Sequence, residues 1–310
     1  MKKFIMAGIL CILLGITWLY KEEFVKVYKE HFNRNKTDTK TIVTLSNKNS
    51  YYRDYNFNFV QTTNDFSPKN VQDLYNIYYT VINAGKSSFT FYCPDTYQGC
   101  INDVKYLAND QITLSNINNF VHPFNGFKHI ETTYDNTGKI TIKAYKTYTE
   151  EDRTKINAKI KEIQKELKDD TLSTIEQIKK YHDYIIDHAV YDSDRSDKNI
   201  IKYKSDTAYG ALFQGHALCG GYTDSMALFL TEMQLPNYKV SSENHVWNAV
   251  KIEDKWYHLD LTWDDPVTQD GTNLIEEDFF LINTNKLLEI EKQEHNFDYA
   301  TYSELVEVNS

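Results

Sequence analysis

Proline and glycine are scarce in this chain, 5 and 11 among 310 residues. That excludes collagen-like and Pro/Gly-rich low-complexity classes. No internal repeat is present, which argues against a solenoid or propeller. Basic charge is also short: 34 Lys and Arg face 44 Asp and Glu, for a formal net charge of -10. Without a basic patch there is little to gain from phosphate contacts, so nucleic acid is not expected as a partner. What the chain does have is a 41% hydrophobic fraction with 24 Tyr and 16 Phe. That is enough for a substantial core, and disorder over most of the length is not expected. The length allows one large domain or two modest ones.

The first residues differ from the rest. Lys2 and Lys3 precede an uncharged apolar run from Phe4 to Tyr20. The run is slightly short for a span and long for a signal-peptide core, and no small-x-small cleavage site follows it. Residues 1–20 therefore read as an uncleaved signal-anchor or transmembrane helix, with a cleaved signal peptide as the alternative. The lysines place the short N-terminal side in the cytoplasm and the rest outside, as a single-pass cell-membrane protein with an extracellular domain. Either reading exports the remaining chain. Residues 21–51 are Lys- and Asn-rich without an apolar period and read as a stalk.

Only four cysteines are present. Cys11 lies in the apolar run. Cys93 and Cys100 flank the short loop CPDTYQGC and form a candidate local disulfide in an oxidising compartment, with two unpaired thiols as the alternative. Cys219 is left without a partner, and a lone thiol in an exported chain is a liability unless it is buried or used.

Residues 52–148 read as a small α+β region without an assigned role. Ser67 and Pro68 suit a helix start, Val71, Leu74, Tyr78 and Val81 continue it, and Gly85 suits its end. Ser88–Tyr92 reads as a strand and 101–119 as helical. His129–Tyr134 and Ile140–Tyr145 read as strands around the turn at Asp135–Gly138. Thr149 with Asp152, and Ser173 with Glu176, resemble capping boxes that open two further helices.

The chemistry-bearing stretch runs from Tyr209 to Pro266. Cys219 precedes Gly220 and Gly221 and an apolar helix over about Tyr222–Leu230. A cysteine at a helix start faces unpaired N–H groups and the positive end of the helix dipole, which favour thiolate over thiol. The glycines leave room for a substrate carbonyl. The segment ENHVWNAVKIEDKWYHLDLTWDDP reads as a hairpin turning at Glu253-Asp254. With Ile252 opposite Lys255, His245, Trp247, Trp256, His258, Asp260 and Thr262 share one face, and His245 and Asp260 are diagonal neighbours. A slip of one residue would separate them.

These motifs, C-G-G-Y at Cys219–Tyr222, N-H-V-W-N at Asn244–Asn248 and W-Y-H-L-D-L-T-W-D-D-P at Trp256–Pro266, resemble those of the transglutaminase-like family. Y-H-D-Y-I-I at Tyr181–Ile186 resembles its bacterial members. The resemblance covers roughly residues 150–285. It implies an α+β fold with a papain-like catalytic domain at 149–310, and Cys219, His245 and Asp260 as nucleophile, base and orienting carboxylate. Gln214 is a candidate second oxyanion donor beside the Cys219 N–H. Trp247 and His258 are candidates for the cleft. Neither cofactor nor metal is expected, and Asp264, Asp265 and Asp270 lack EF-hand spacing. The implied activity is an acyltransferase or hydrolase acting on protein or peptide carboxamides through a thioester, with cell-wall peptides or surface proteins as candidate substrates. A cysteine peptidase of the same fold is one alternative, and a catalytically silent surface binding or scaffold module is another.

Overall fold

The computed structural model describes residues 43–268 and 274–306. The expected signal-anchor and residues 21–42 of the expected stalk lie outside the described residues. Among those described, no helix is long and apolar enough to cross a membrane. Residues 43–51 do not run as a free polar tether. Val43 and Leu45 pack against the first apolar cluster, and Tyr51 sits edge-on to Phe124 with ring centroids 5.0 Å apart.

The N-terminal half of the described chain builds an antiparallel sheet backed by helices. Helix α1 (Val71–Asn83) begins at Asn70, whose side chain accepts from the Asp73 N–H, and not at Ser67 as the sequence suggested. Strand β1 (Ser88–Tyr92) falls where its composition placed it. The helical stretch that follows is two helices, α2 (Cys100–Asn109) and α3 (Gln111–Asn119). Asp110 divides them because its carboxylate caps α3 at the Thr113 N–H. Strands β2 (Phe127–Tyr134) and β3 (Lys139–Lys146) form the expected hairpin, giving the sheet order β1-β3-β2. Cys93 and Cys100 are joined, with Cα atoms 5.8 Å apart.

Both capping boxes form and open α4 (Glu150–Leu167) and α5 (Thr174–His188). Strand β4 (Val190–Tyr191) pairs in parallel with β5 (His216–Ala217), bridged by the short α6 (Ser193–Lys198) and a π-turn at Gly210–Gln214. Helix α7 (Cys219–Glu232) is buried on nearly every side over Gly221–Leu230, and Phe229 stacks on Tyr181 of α5 at 4.5 Å. Strands β6 (Asn237–Ser241), β7 (Val246–Ile252) and β8 (Lys255–Leu259) form an antiparallel sheet, and α8 (Thr284–Ile290) follows.

This second sheet explains where the N-terminal region fits. Tyr238, Val240, Trp247 and Ala249 pack into the apolar cluster built by α1, α3 and the first sheet. Val250, Leu259 and Leu261 pack into the cluster built by α4, α5 and α7. Both faces of β7 are therefore covered, one by each half of the chain. The face that carries Trp247 and His258, the two cleft candidates, is buried under the N-terminal half.

Arg53 ties the two halves together. It is buried, and its guanidinium donates to the Asn237 carbonyl and side-chain oxygens at 2.9 and 3.0 Å, to Thr231 Oγ1 at 3.0 Å and to the Val121 carbonyl at 3.3 Å. Burial pulls its pKa down to about 10, against the raising effects of Tyr79, Tyr55 and Asp224. Arg53→Met would leave several buried acceptors without donors, at about 1–3 kcal/mol each. The expected loss of unfolding free energy is about 2–4 kcal/mol, read from urea unfolding curves. A loss within about 0.5 kcal/mol, typical of a surface substitution, would contradict this account.

Candidate active site

The site begins where three backbone termini meet. Cys219 is the first residue of α7, His245 immediately precedes β7, and Asp260 immediately follows β8. Helix and sheet are pinned at that end: Thr223 Oγ1 donates to the Val246 carbonyl at 2.9 Å, and Asn248 Nδ2 donates to the Thr223 carbonyl at 3.0 Å. The hairpin pairs Ile252 with Lys255, Val250 with Tyr257 and Asn248 with Leu259, the register that puts His245 and Asp260 diagonally on one face.

His245 and Asp260 do meet. The ring donates from Nε2 to Asp260 Oδ2 at 2.5 Å. Cys219 lies close enough to the same ring to help raise its pKa, and with Nε2 turned to Asp260, Nδ1 is the ring nitrogen left for the thiol. Cys219 is half-buried, whereas His245 is 8% and Asp260 1% exposed. Asp260 Oδ1 accepts from the Thr262 N–H at 2.9 Å, which fixes the carboxylate plane. Burial penalises the Asp260 anion, but the charge and hydrogen bond of His245, with a further bond from His295, outweigh it and hold the carboxyl well below its ordinary range. Burial likewise opposes the charged His245 ring, and Asp260 followed by Cys219 reverses that and raises it to about 10.

A strap of chain seats the helix start. Leu218 N–H donates to the Ser205 carbonyl at 2.7 Å, and Ala208 N–H donates to Tyr148 Oη at 2.9 Å. Tyr148 in turn donates to Asp224 of α7 at 2.6 Å, and Lys239 pairs with the same carboxylate at 3.0 Å. The two glycines after Cys219 serve this packing. A Cβ on Gly221 would lie 2.3 Å from the Ser205 carbonyl oxygen, and one on Gly220 would lie 3.0 Å from that of Asp206. They admit the chain's own backbone, which is a different use from the substrate clearance that the sequence suggested.

The remaining candidates fall elsewhere. Gln214 ends the π-turn, and its side-chain oxygen accepts from the Lys204 N–H at 2.8 Å. Trp247 and His258 are 0% and 1% exposed, so they line no open cleft, contrary to expectation. Trp247 Nε1–H donates to His258 Nδ1 at 2.9 Å, and His258 Nε2–H donates to Thr284 Oγ1 at 3.0 Å. Burial, with His295 nearby, lowers His258 to about 3, so it is neutral. Its part is to carry Trp247, whose ring stacks on His245 at 5.5 Å. Asp264 accepts from the Phe279 N–H at 2.9 Å and pairs with His182 Nε2 at 3.1 Å, while Asp265 accepts from the Tyr222 hydroxyl. Both acids are thereby committed to holding the loop after β8.

One residue went unseen in the sequence. His295 is 0% exposed and donates from Nε2 to Asp260 Oδ2 at 2.9 Å. No local motif surrounds it, and only a pairing 35 residues away gives it meaning. His245, Asp260 and His295 offer donor atoms within 4.8 Å of one another, a spacing compatible with a metal ion. Here both rings point Nε2 at the carboxylate, so protons bridge the group.

Comparison with known proteins fits this geometry. The model of the transglutaminase-like superfamily core matches residues 159–261. This segment is similar to a transglutaminase-like core. That similarity goes with a papain-like fold, and the superfamily consists in general of enzymes, cysteine acyltransferases or proteases. No curated protein matches. A solved structure described as "Crystal structure of a TGase" is 16% identical over 44% of this chain and 45% of that one, with a TM-score of 0.33. The chain thus spans less than half the length of that protein. The transglutaminase-like core includes Cys219, His245 and Asp260, and ends before His295.

Two outcomes test the site. The raised His245 contributes stability that is fully present below its ordinary 6.5 and is lost as pH rises through about 10. The depressed Asp260 contributes above its ordinary 3.8 and fails only in strong acid. Wild type should therefore lose stability relative to His245→Gln between pH 6.5 and 10, by denaturant unfolding at constant ionic strength. Parallel pH profiles would contradict the pairing. Gly221→Ala must displace the Ser205 strap, so it should lower both the melting temperature and the reactivity of Cys219 towards iodoacetamide; unchanged reactivity would show that the strap is not needed.

Proposed function

We propose that this protein is an exported thiol acyltransferase or hydrolase that acts on protein or peptide carboxamides. The observation that carries the reading is His245 bonded to the buried Asp260 carboxylate, with Cys219 near enough to raise the same ring's pKa. Proton transfer from Cys219 to His245 gives a thiolate facing an imidazolium that Asp260 stabilises. The thiolate attacks the carboxamide carbon, and the C=O electrons move onto oxygen. The Cys219 backbone N–H at the helix start is the proposed oxyanion donor. Collapse breaks the C–N bond, and His245 gives its proton to the leaving amine. The resulting thioester passes its acyl group to a primary amine, giving a cross-link, or to water, giving deamidation or peptide cleavage.

Transglutaminase-like domains act in general on protein substrates. Placement outside the cell is supported by the Cys93–Cys100 disulfide, which suits an oxidising compartment, and by the apolar run that follows Lys2 and Lys3. That run is the proposed membrane anchor. Cell-wall peptides and surface proteins are the substrates such a location would offer.

The test is incubation of the full-length chain with a glutamine-containing peptide and a fluorescent primary amine, followed by mass spectrometry. A covalent acyl adduct on Cys219 and turnover that both vanish in Cys219→Ala are expected. Amine incorporation identifies transfer, side-chain conversion to glutamate identifies deamidation, and backbone scission identifies the peptidase variant. Turnover that survives in Cys219→Ala would reject the nucleophile.

A further inference from the structure

Asp260 is asked to do something costly. It is a carboxylate with 1% exposure, held as an anion among aromatic rings. One imidazolium would neutralise it, yet its Oδ2 accepts from two rings, His245 at 2.5 Å and His295 at 2.9 Å. The second ring is not a surface histidine that happens to reach inward. His295 is fully buried, stacked on Phe279 at 5.2 Å, and set against Trp247 at 4.8 Å and Trp263 at 5.5 Å. Its other nitrogen, Nδ1, is buried with no hydrogen-bond partner.

A carboxylate oxygen can only accept, so the His295 Nε2 that faces Oδ2 is the donor. Nδ1, with no partner, leaves the ring a single polar contact, the one to Asp260. The arrangement is asymmetric: His245 is the ring next to the thiol, and His295, at 5.3 Å between ring centroids, stands behind the carboxylate.

We propose that His295 is a positioning residue for the reaction, holding Asp260 Oδ2 through Nε2–H so that the carboxylate is presented to His245 as an anion. The inference rests on the Cys219, His245 and Asp260 reading above and adds a fourth member to it. His295 touches neither substrate nor sulfur and acts through Asp260. Its segment is set in place by packing of Phe297 and Tyr302 into the first cluster, and Tyr302 Oη donates to Asn116 at 3.1 Å. The docking of a segment outside the transglutaminase-like core thereby bears on the reactivity of Cys219.

The experiment is peptide-resolved alkylation of Cys219 by iodoacetamide at pH 7 in the full-length chain. Wild type is compared with H295F, H295Q, H295N, D260N and the D260N/H295F double variant, and each melting temperature is recorded. H295F removes the donor and fills the aromatic cage, and should slow alkylation about ten- to a hundredfold, the size of one hydrogen bond to a charged group. H295Q places an amide N–H where Nε2 was and should stay near the wild-type rate. H295N is too short to reach Oδ2 and should be slow. H295F should add little to D260N, because its route runs through the lost carboxylate. The proposal is overturned if H295F alkylates at the wild-type rate, if H295Q is as slow as H295F, or if the two substitutions multiply independently. Should H295F fail to fold, equal rates for H295Q and H295N would overturn it. Wild-type Cys219 reacting no faster than a peptide thiol would reject the catalytic reading itself, and the role of His295 with it.

Discussion

A buried carboxylate organises this molecule. Asp260 pays the desolvation cost of a charge in the core, and its neighbours are arranged to offset that cost. Thr262 N–H fixes one oxygen, and two imidazole rings donate to the other. The Asp260 N–H donates to the Phe279 carbonyl at 3.2 Å, and its own carbonyl accepts from the Asp264 N–H at the same distance. The loop that carries it is thus fixed from both sides, and the ring that faces Cys219 inherits that fixity. Orientation of His245 is a property of the whole lower edge of the second sheet.

The second sheet has a dual allegiance. One face of β7 belongs to the core of the transglutaminase-like segment and the other to the core of the N-terminal half. A strand buried on both faces loses the usual signature of alternation, and this is why Trp247 and His258 were candidates for the cleft although both are buried. Trp247 fills the N-terminal core and backs the His245 ring at once. The N-terminal half, in which no reactive cluster is seen among the described residues, closes the back of the site. Arg53 secures that closure by satisfying carbonyls on both sides of the junction.

Features set by near neighbours were legible in the sequence. Both capping boxes, the Cys219 helix start, the Glu253 turn and the hairpin register depend on residues close in the chain, and all appear. Features decided by competition or by distance were not. Ser67 lost to Asn70 as a cap, and Asp110 split a continuous apolar pattern because its carboxylate preferred a backbone N–H to helix continuation. The glycines at 220 and 221 were visible, but the strap they admit comes from Ser205 and Asp206. His295 had no signal at all: a lone histidine between Glu294 and Asn296 gives no hint that it faces a carboxylate across the fold.

The order of the chain gives His295 a temporal meaning. Synthesis delivers Cys219, His245 and Asp260 before the segment that bears His295, which trails Asp260 by 35 positions. Domains acquire structure as they emerge. A nascent chain can therefore display its thiol while the carboxylate behind the base is still short of one proton donor. Phe297 and Tyr302 belong to the same buried cluster as Trp247, so the core behind the His245 ring is completed only by the part of the chain that is made last.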